Sequence, residues 1–101
     1  MGKRSAKMAA SMKVDRLRRL NARYPWMQSD MSKLEHALAK LLVEHPKLEF
    51  HIEIFKLFYG VGGAPHSLAE IAQLKGLTTH KIAAHRKEDV ENHLQATWRW
   101  E

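Results

Sequence analysis

Histidine is the residue type in this chain best able to bind a metal ion or transfer a proton near neutral pH, and the chain contains seven. His80 and His85 lie five residues apart and His93 eight residues further on, whereas two metal ligands on one helix face need a spacing of three or four. The others are scattered along the chain: His36, His45, His51 and His66. Cysteine is absent, which excludes a thiolate metal site and a disulfide framework. We therefore predict no bound metal and no cofactor.

Neither the carboxylates nor the glycines form a catalytic motif. Glu88, Asp89 and Glu91 are close in sequence, but they fall on a charged helix face with no nucleophile beside them. The glycine-rich segment 60–63 lacks the Lys-Ser/Thr pair of a phosphate-binding loop, and no strand pattern precedes it. We therefore predict that the protein is not an enzyme.

Positive charge is the strongest chemical signal in the sequence, and it is concentrated at the N-terminus. Residues 1–29 carry eight Lys/Arg and one acidic residue, a net +7, whereas residues 30–101 carry nine Lys/Arg and ten acidic residues, a net −1. A basic segment of this density favours nucleic acid or an acidic protein surface as its partner. The alternative is a solvated tail that aids solubility. The cations predicted to contact a partner are Lys13, Arg16, Arg18, Arg19 and Arg23.

The length of 101 residues and the mass of 11.7 kDa suit one domain with a modest core. We predict a basic N-terminal arm at residues 1–29, partly helical or disordered, and a helical domain at residues 30–101. Apolar residues make up 45% of the chain, too many for full disorder. No apolar run approaches the roughly 20 residues that span a membrane, and the N-terminus does not resemble a secretory signal. We therefore expect a soluble, cytoplasmic protein.

The basic arm itself has a helical pattern. Residues from Ser5 to about Asn21 predict a weakly amphipathic helix or, in the free protein, a disordered tail. Pro25 ends this helix, because proline disfavours the helical conformation of the residue before it. The flanking aromatics Tyr24 and Trp26 are expected to pack on the body of the domain or to contact a partner.

Two helices are predicted after the proline. The S-x-x-E pattern of Ser32 and Glu35 is a capping box, which predicts that a helix begins there and runs to Pro46. A second helix, from about Leu48 to Tyr59, is apolar around most of its circumference and should therefore lie at the centre of the domain.

The C-terminal half contains a second capping box, formed by Ser67 and Glu70 after the glycine-rich turn at residues 60–66. It predicts a short helix that ends at Gly76, a residue suited to a left-handed cap. Thr78 is the predicted N-cap of a last helix, from about Thr79 to Trp98. The inner face of that helix is predicted to carry Ile82, Val90, Leu94 and Trp98.

A short helix, a glycine turn and a longer helix in this order indicate a helix-turn-helix, at about residues 67–97 of an all-α fold. Ala72 is small where the two helices approach each other, and Leu77 and Ile82 anchor the second helix. That helix would then present its first two turns to a DNA major groove. The alternative is a plain helical hairpin.

The same residues resemble a known family. Residues 57–61 (LFYGV) are similar to a segment that commonly reads R-Y/F-G-L/I in region 4 of the bacterial sigma-seventy class of RNA polymerase sigma factors. Residues 63–72 (GAPHSLAEIA) resemble the family's G-E-P-x-T-L-x-E-I-G/A. Leu77 and Thr78 followed by Ile82 match its V-S/T-x-x-x-V/I. The resemblance covers residues 46–95 and implies a region-4-like domain that stands alone.

This resemblance implies two partners. One is the −35 element of promoter DNA, and the other is the flap of the polymerase β subunit. The residues implied for DNA are Thr78, Thr79, His80, Lys81, Ala83, Ala84, Arg86 and Lys87. The residues implied for polymerase are Phe50, Ile54, Phe55 and Phe58.

Four positions depart from the family pattern. The family commonly has Arg or Glu at positions 79 and 80 and Arg-Gln at positions 83 and 84, whereas this chain has Thr79, His80, Ala83 and Ala84. Alanine can read only a thymine methyl group. We therefore expect RNA polymerase, rather than a DNA site alone, to be the main partner.

The resulting hypothesis is a transcription regulator, phage-encoded or accessory, that redirects bacterial RNA polymerase by initiation control or antitermination. One alternative is a protein-interaction module that uses the helix-turn-helix without reading DNA. The other is an RNA-binding protein that uses its Arg-rich arm.

Overall fold

The computed structural model describes residues 6–25 and 30–97. All regular structure within these residues is helical, which confirms the predicted all-α fold. None of the described helices is long and apolar enough to cross a membrane. The predicted contacts of Trp26 and Trp98 lie outside the described residues. In chain order the elements are α1 (Ala6–Arg23), α2 (Met31–Glu44), a 3₁₀ turn (Pro46–Leu48), α3 (Glu49–Tyr59), α4 (Leu68–Leu74) and α5 (His80–Thr97).

The first helix is part of the domain core. α1 continues to Arg23, two residues beyond the predicted end. Leu20 and Tyr24 retain only 2% and 6% of their accessible surface and join the main apolar cluster, against which Leu17 also packs. The part of the arm that the structure describes is therefore helical and packs on the core. The boundary predicted at residue 30 marks a change of charge and not the edge of a separate core.

The turn after α3 is shaped to receive α1. Gly60 caps α3 in the left-handed conformation, with φ of 73°. A Cβ atom at this position would lie 2.8 Å from Cε and 2.9 Å from Cγ of Lys13. The missing side chain therefore lets the aliphatic stem of Lys13 rest on the turn.

This contact predicts that Gly60→Ala destabilises the protein more than Gly62→Ala. Both glycines have positive φ, but no atom lies within 4 Å of a Cβ built on Gly62. Gly62→Ala should therefore cost about 1–2 kcal/mol from backbone strain alone. Gly60→Ala should cost more because its Cβ also crowds the Lys13 side chain of α1 and lies 3.0 Å from the Gly63 carbonyl oxygen. Urea denaturation measures both losses, and equal losses would show that α1 does not press on the turn.

α2 begins earlier than predicted. Asp30 is its N-cap, and the Asp30 carboxylate accepts a hydrogen bond from the Lys33 backbone N–H at 2.8 Å. The capping box predicted at Ser32 and Glu35 is therefore wrong. Aspartate caps a helix as well as serine does, and the earlier start places Ser32 inside the first turn. The inward face of α2 then buries Leu34, Leu38 and Leu41.

α3 lies at the centre of the fold, as its apolar circumference predicts. It begins at Glu49, one residue later than predicted, because the 3₁₀ turn precedes it. Ile52 and Phe55 belong to the main apolar cluster, whereas Ile54 joins a second cluster with Ile71 and Ala83. One helix therefore connects the core beneath α1 and α2 to the core beneath α4 and α5.

The start of α4 confirms the second capping box. The Glu70 backbone N–H donates to the Ser67 hydroxyl at 3.1 Å, and the Ser67 N–H donates to the Glu70 carboxylate at 2.9 Å. Gly76 follows α4 with φ of 68°, as its predicted role at the helix end requires. α5 begins at His80, so Thr79 precedes its first residue and the N-cap predicted at Thr78 is one residue too early.

Candidate nucleic-acid interface

α4 and α5 are joined by a tightly bonded turn. The Leu77 N–H donates to the Ala72 carbonyl at 2.8 Å, and the Lys75 N–H donates to the Ile71 carbonyl at 2.9 Å. Ile71 and Ala83 are fully buried against each other and against α3. This packing fixes the direction of α5 relative to α4, as a helix-turn-helix requires.

The contact between α4 and α5 corrects two predictions about α5. Ala83 has no accessible surface and lies in the core, so it cannot contact DNA. Ile82, predicted on the inner face, is only half-buried. Ala83 is small enough to fit in this buried cluster with Ile71, where a larger side chain would force the two helices apart. Val90 and Leu94 are buried as predicted.

An open groove lies between α4 and the start of α5. Thr78, Thr79, His80 and Lys81 are all exposed on its wall. They offer two hydroxyl groups, an imidazole and an ammonium group within four consecutive residues. The groove is also lined by Ala69, Glu70, Ala72, Gln73 and Leu77.

The exposed side of α5 continues beyond this groove. His85 is exposed one helical turn after Lys81, and Ala84 between them is half-buried. Gln73 is exposed on α4 and lines the groove. Neither Gln73 nor His85 was expected to contact DNA. For His85, the spacing of four from Lys81 is a sequence signal that could have found it. We define the recognition face as Gln73, Thr78, Thr79, His80, Lys81, Ala84 and His85.

Two other residues implied for DNA point elsewhere. The side chain of Lys87 is only 12% exposed, and its ammonium donates to the Glu91 carboxylate at 2.7 Å. Arg86 is exposed, but one of its guanidinium nitrogens lies 3.5 Å from the His51 ring of α3. The helical period explains the position of Lys87, because residues 83, 87, 90, 91 and 94 share the side of α5 that faces the core. Arg86 lies at the edge of that side and stays exposed.

Glu91 is the centre of a buried polar network that the sequence did not reveal. It is 1% exposed, and its carboxylate accepts hydrogen bonds from the Tyr59 hydroxyl and Lys87 at 2.7 Å each. Arg23 of α1 also reaches it, at 3.4 Å. Burial and the neighbouring Glu91 charge raise the pKa of the Tyr59 phenol, which therefore keeps its proton and donates it. Glu91 therefore does not belong to the charged helix face on which the sequence placed it.

The basic residues of α1 also have structural contacts. Arg16 donates to the carbonyl oxygens of Phe58 and His66, the latter at 2.7 Å, and its guanidinium lies 4.0 Å above the Phe58 ring. Arg19 pairs with Asp15 at 3.1 Å but keeps 80% of its side-chain surface. Arg18 is exposed. The predicted arm is thus a docked helix in which only some cations face solvent.

The residues implied for polymerase binding divide into core and surface. Ile54 and Phe55 have no accessible surface, so they cannot form a docking face in the folded protein. Phe58 is half-buried between Arg16 and Lys87. Phe50 is 39% exposed, and the neighbouring α4 adds Leu74, which is 61% exposed.

The described residues contain no group of three or more His, Asp or Glu side chains that could hold a metal ion. The comparisons with family models, with curated proteins and with solved structures find no match to this chain.

Proposed function

We propose that this protein is a helix-turn-helix transcription regulator that resembles sigma factor region 4 and acts at bacterial RNA polymerase and promoter DNA. The observation that carries the proposal is the open recognition face at the start of α5, on a helix whose direction is fixed by α4. Phage-encoded or accessory regulation of a host polymerase is the setting that the resemblance favours.

The chemistry of the recognition face suits base edges in a major groove. Lys81 can donate to the acceptors of guanine, Gln73 can pair with adenine, and the methyl group of Ala84 can contact thymine. Thr78 and Thr79 can donate to phosphate oxygens, which position a protein on the duplex without reading sequence. In a helix-turn-helix the second helix enters the groove and the first crosses the backbone, which matches the roles available to α5 and α4.

Binding to polymerase would supply the affinity for promoter DNA that the recognition face lacks. Lys81 is the only Lys or Arg on the recognition face, and Glu70 lines the same groove, so this face by itself attracts DNA only weakly. Attachment to polymerase would offset weak DNA contacts by raising the local concentration at the promoter. Phe50 and Leu74 are large apolar side chains exposed on adjacent helices, and the Lys75 ammonium lies 5.7 Å from the Phe50 ring. They support a protein contact on this side of the helix-turn-helix.

The test is to titrate the purified protein against core RNA polymerase and, separately, against promoter DNA and a random duplex at physiological salt. We expect binding to polymerase that survives nuclease treatment, and weaker binding to free DNA that polymerase enhances. Tight sequence-specific DNA binding without polymerase binding would replace this proposal with an ordinary repressor or activator. Polymerase binding without any DNA contact would favour the protein-interaction alternative.

A further inference from the structure

A second cleft lies between α1 and α5, away from the groove that carries the recognition face. Its volume is about 190 Å³. We call it the α1–α5 cleft. It is lined by Arg16, Arg19, Leu20, Arg23, Phe58, Tyr59, Lys87 and Glu91.

Positive charge is in excess in this cleft. Its lining brings together four cations from two helices, whereas Glu91 is the one carboxylate among the described lining residues. Cations therefore outnumber carboxylates in the lining. The apolar side chains of Leu20 and Phe58 form part of the walls, and a concave surface with apolar walls strengthens the electrostatic attraction of an anion that enters it.

Three of the four cations are also held in place before any ligand arrives. Glu91 binds Lys87 and Arg23, and the Phe58 ring lies 4.0 Å from the Arg16 guanidinium and 4.9 Å from the Lys87 ammonium. Arg23 contacts Glu91 through one terminal nitrogen, although a guanidinium has five N–H donors. The side chains of Arg19 and Arg23 are 80% and 58% exposed, so their donors are available at the mouth of the cleft.

We propose that the α1–α5 cleft is a phosphate-binding site, with Arg19 and Arg23 as its donors and Lys87 and Arg16 as fixed charges behind them. Two arginines are suited to this ligand, because the planar guanidinium matches the spacing of phosphate oxygens and can donate two parallel hydrogen bonds. The phosphate can come from a duplex backbone or from a free phosphorylated molecule.

The connection between the α1–α5 cleft and α4 is the reason to include a DNA duplex among the two sources of the phosphate. Arg16 donates to the His66 carbonyl, and His66 immediately precedes Ser67, the N-cap of α4. The cleft is thus linked to the part of the helix-turn-helix that crosses a DNA backbone. The duplex source rests on the proposed function, whereas phosphate binding itself does not.

The first experiment titrates the full chain with inorganic phosphate against sodium chloride of matched ionic strength. The readout is the NMR signal of each arginine side-chain N–H. We expect saturable shifts at Arg19 and Arg23 and none at Arg18, which is exposed on the same helix but lies outside the cleft. Arg19→Gln should weaken phosphate binding roughly tenfold, the loss typical of a charge-assisted hydrogen bond. Equal shifts at all three arginines, or none, would overturn the proposal.

The second experiment identifies the source of the phosphate. Duplex affinity is measured over a range of salt concentrations for Arg19→Gln and for the control Arg18→Gln, after thermal melts show that both variants fold. If the duplex backbone occupies the cleft, Arg19→Gln should make the salt dependence shallower by about one unit, and Arg18→Gln should have a smaller effect. If both variants keep the wild-type slope while phosphate still binds, the ligand is a free phosphorylated molecule. A wild-type protein that binds no duplex would contradict the proposed function but not a positive phosphate titration.

Discussion

Glu91→Ala is expected to lower the free energy of unfolding by about 3–5 kcal/mol, because it removes one partner of a buried ion pair and leaves the others without compensation. Lys87 would keep a nearly buried ammonium, and the Tyr59 hydroxyl would lose its acceptor. Domains of this size have about 5–15 kcal/mol of stability in total. The melting temperature should therefore fall by at least about 12 °C.

Two further variants distinguish the network from a general effect of the substitution. Glu91→Gln should lose less than Glu91→Ala, because its amide oxygen can still accept the Tyr59 hydrogen bond. Glu88→Ala makes the same change of charge one turn earlier on α5, at a half-buried position, and should cost about 1 kcal/mol or less. If Glu91→Ala costs no more than Glu88→Ala, the network does not hold α1 and α5 together.

The double variant Lys81→Glu with His85→Glu is expected to reduce DNA affinity about 100-fold or more. It places two carboxylates on the recognition face, where they would repel the phosphates and the base acceptors of DNA. Both residues are exposed, so the stability of the fold should change little. Fluorescence anisotropy with a labelled duplex measures the loss of affinity.

α2 offers a closely matched control for this double variant. His36 and Lys40 are the same two residue types, four residues apart and exposed. His36→Glu with Lys40→Glu changes the net charge by the same amount on a different helix. It should reduce DNA affinity only through the loss of net positive charge. Equal losses in the two double variants would mean that DNA is attracted by overall charge and not by α5.

The turn between α4 and α5 could be predicted from local signals, because local signals cause it. A capping box begins α4, and a glycine with positive φ ends it, whatever the rest of the chain does. The same reasoning gave a wrong prediction at α2, where both Asp30 and Ser32 could cap the helix and Asp30 is the N-cap. Two capping residues of similar strength within one turn cannot be ranked without the packing of the helix that follows.

The docking of α1 could not be predicted, because its contacts are long-range. Arg16 appears in the sequence as one cation among many, yet it is held by carbonyl oxygens contributed by residues 42 and 50 positions away. Glu91 appears as part of a charged run, and only the packing of α1, α3 and α5 reveals that it is buried. The roles of Arg16 and Glu91 were mistaken because the groups that hold them are contributed by other parts of the chain.

The most direct test of the central claim is an NMR titration of the isotopically labelled protein with a duplex selected from a random pool. If α5 enters the DNA groove, the largest shifts of backbone amides should fall on residues 78–85, with smaller shifts at the start of α4. Saturation with DNA while residues 78–85 remain unshifted would contradict the account, even if α1 responded strongly.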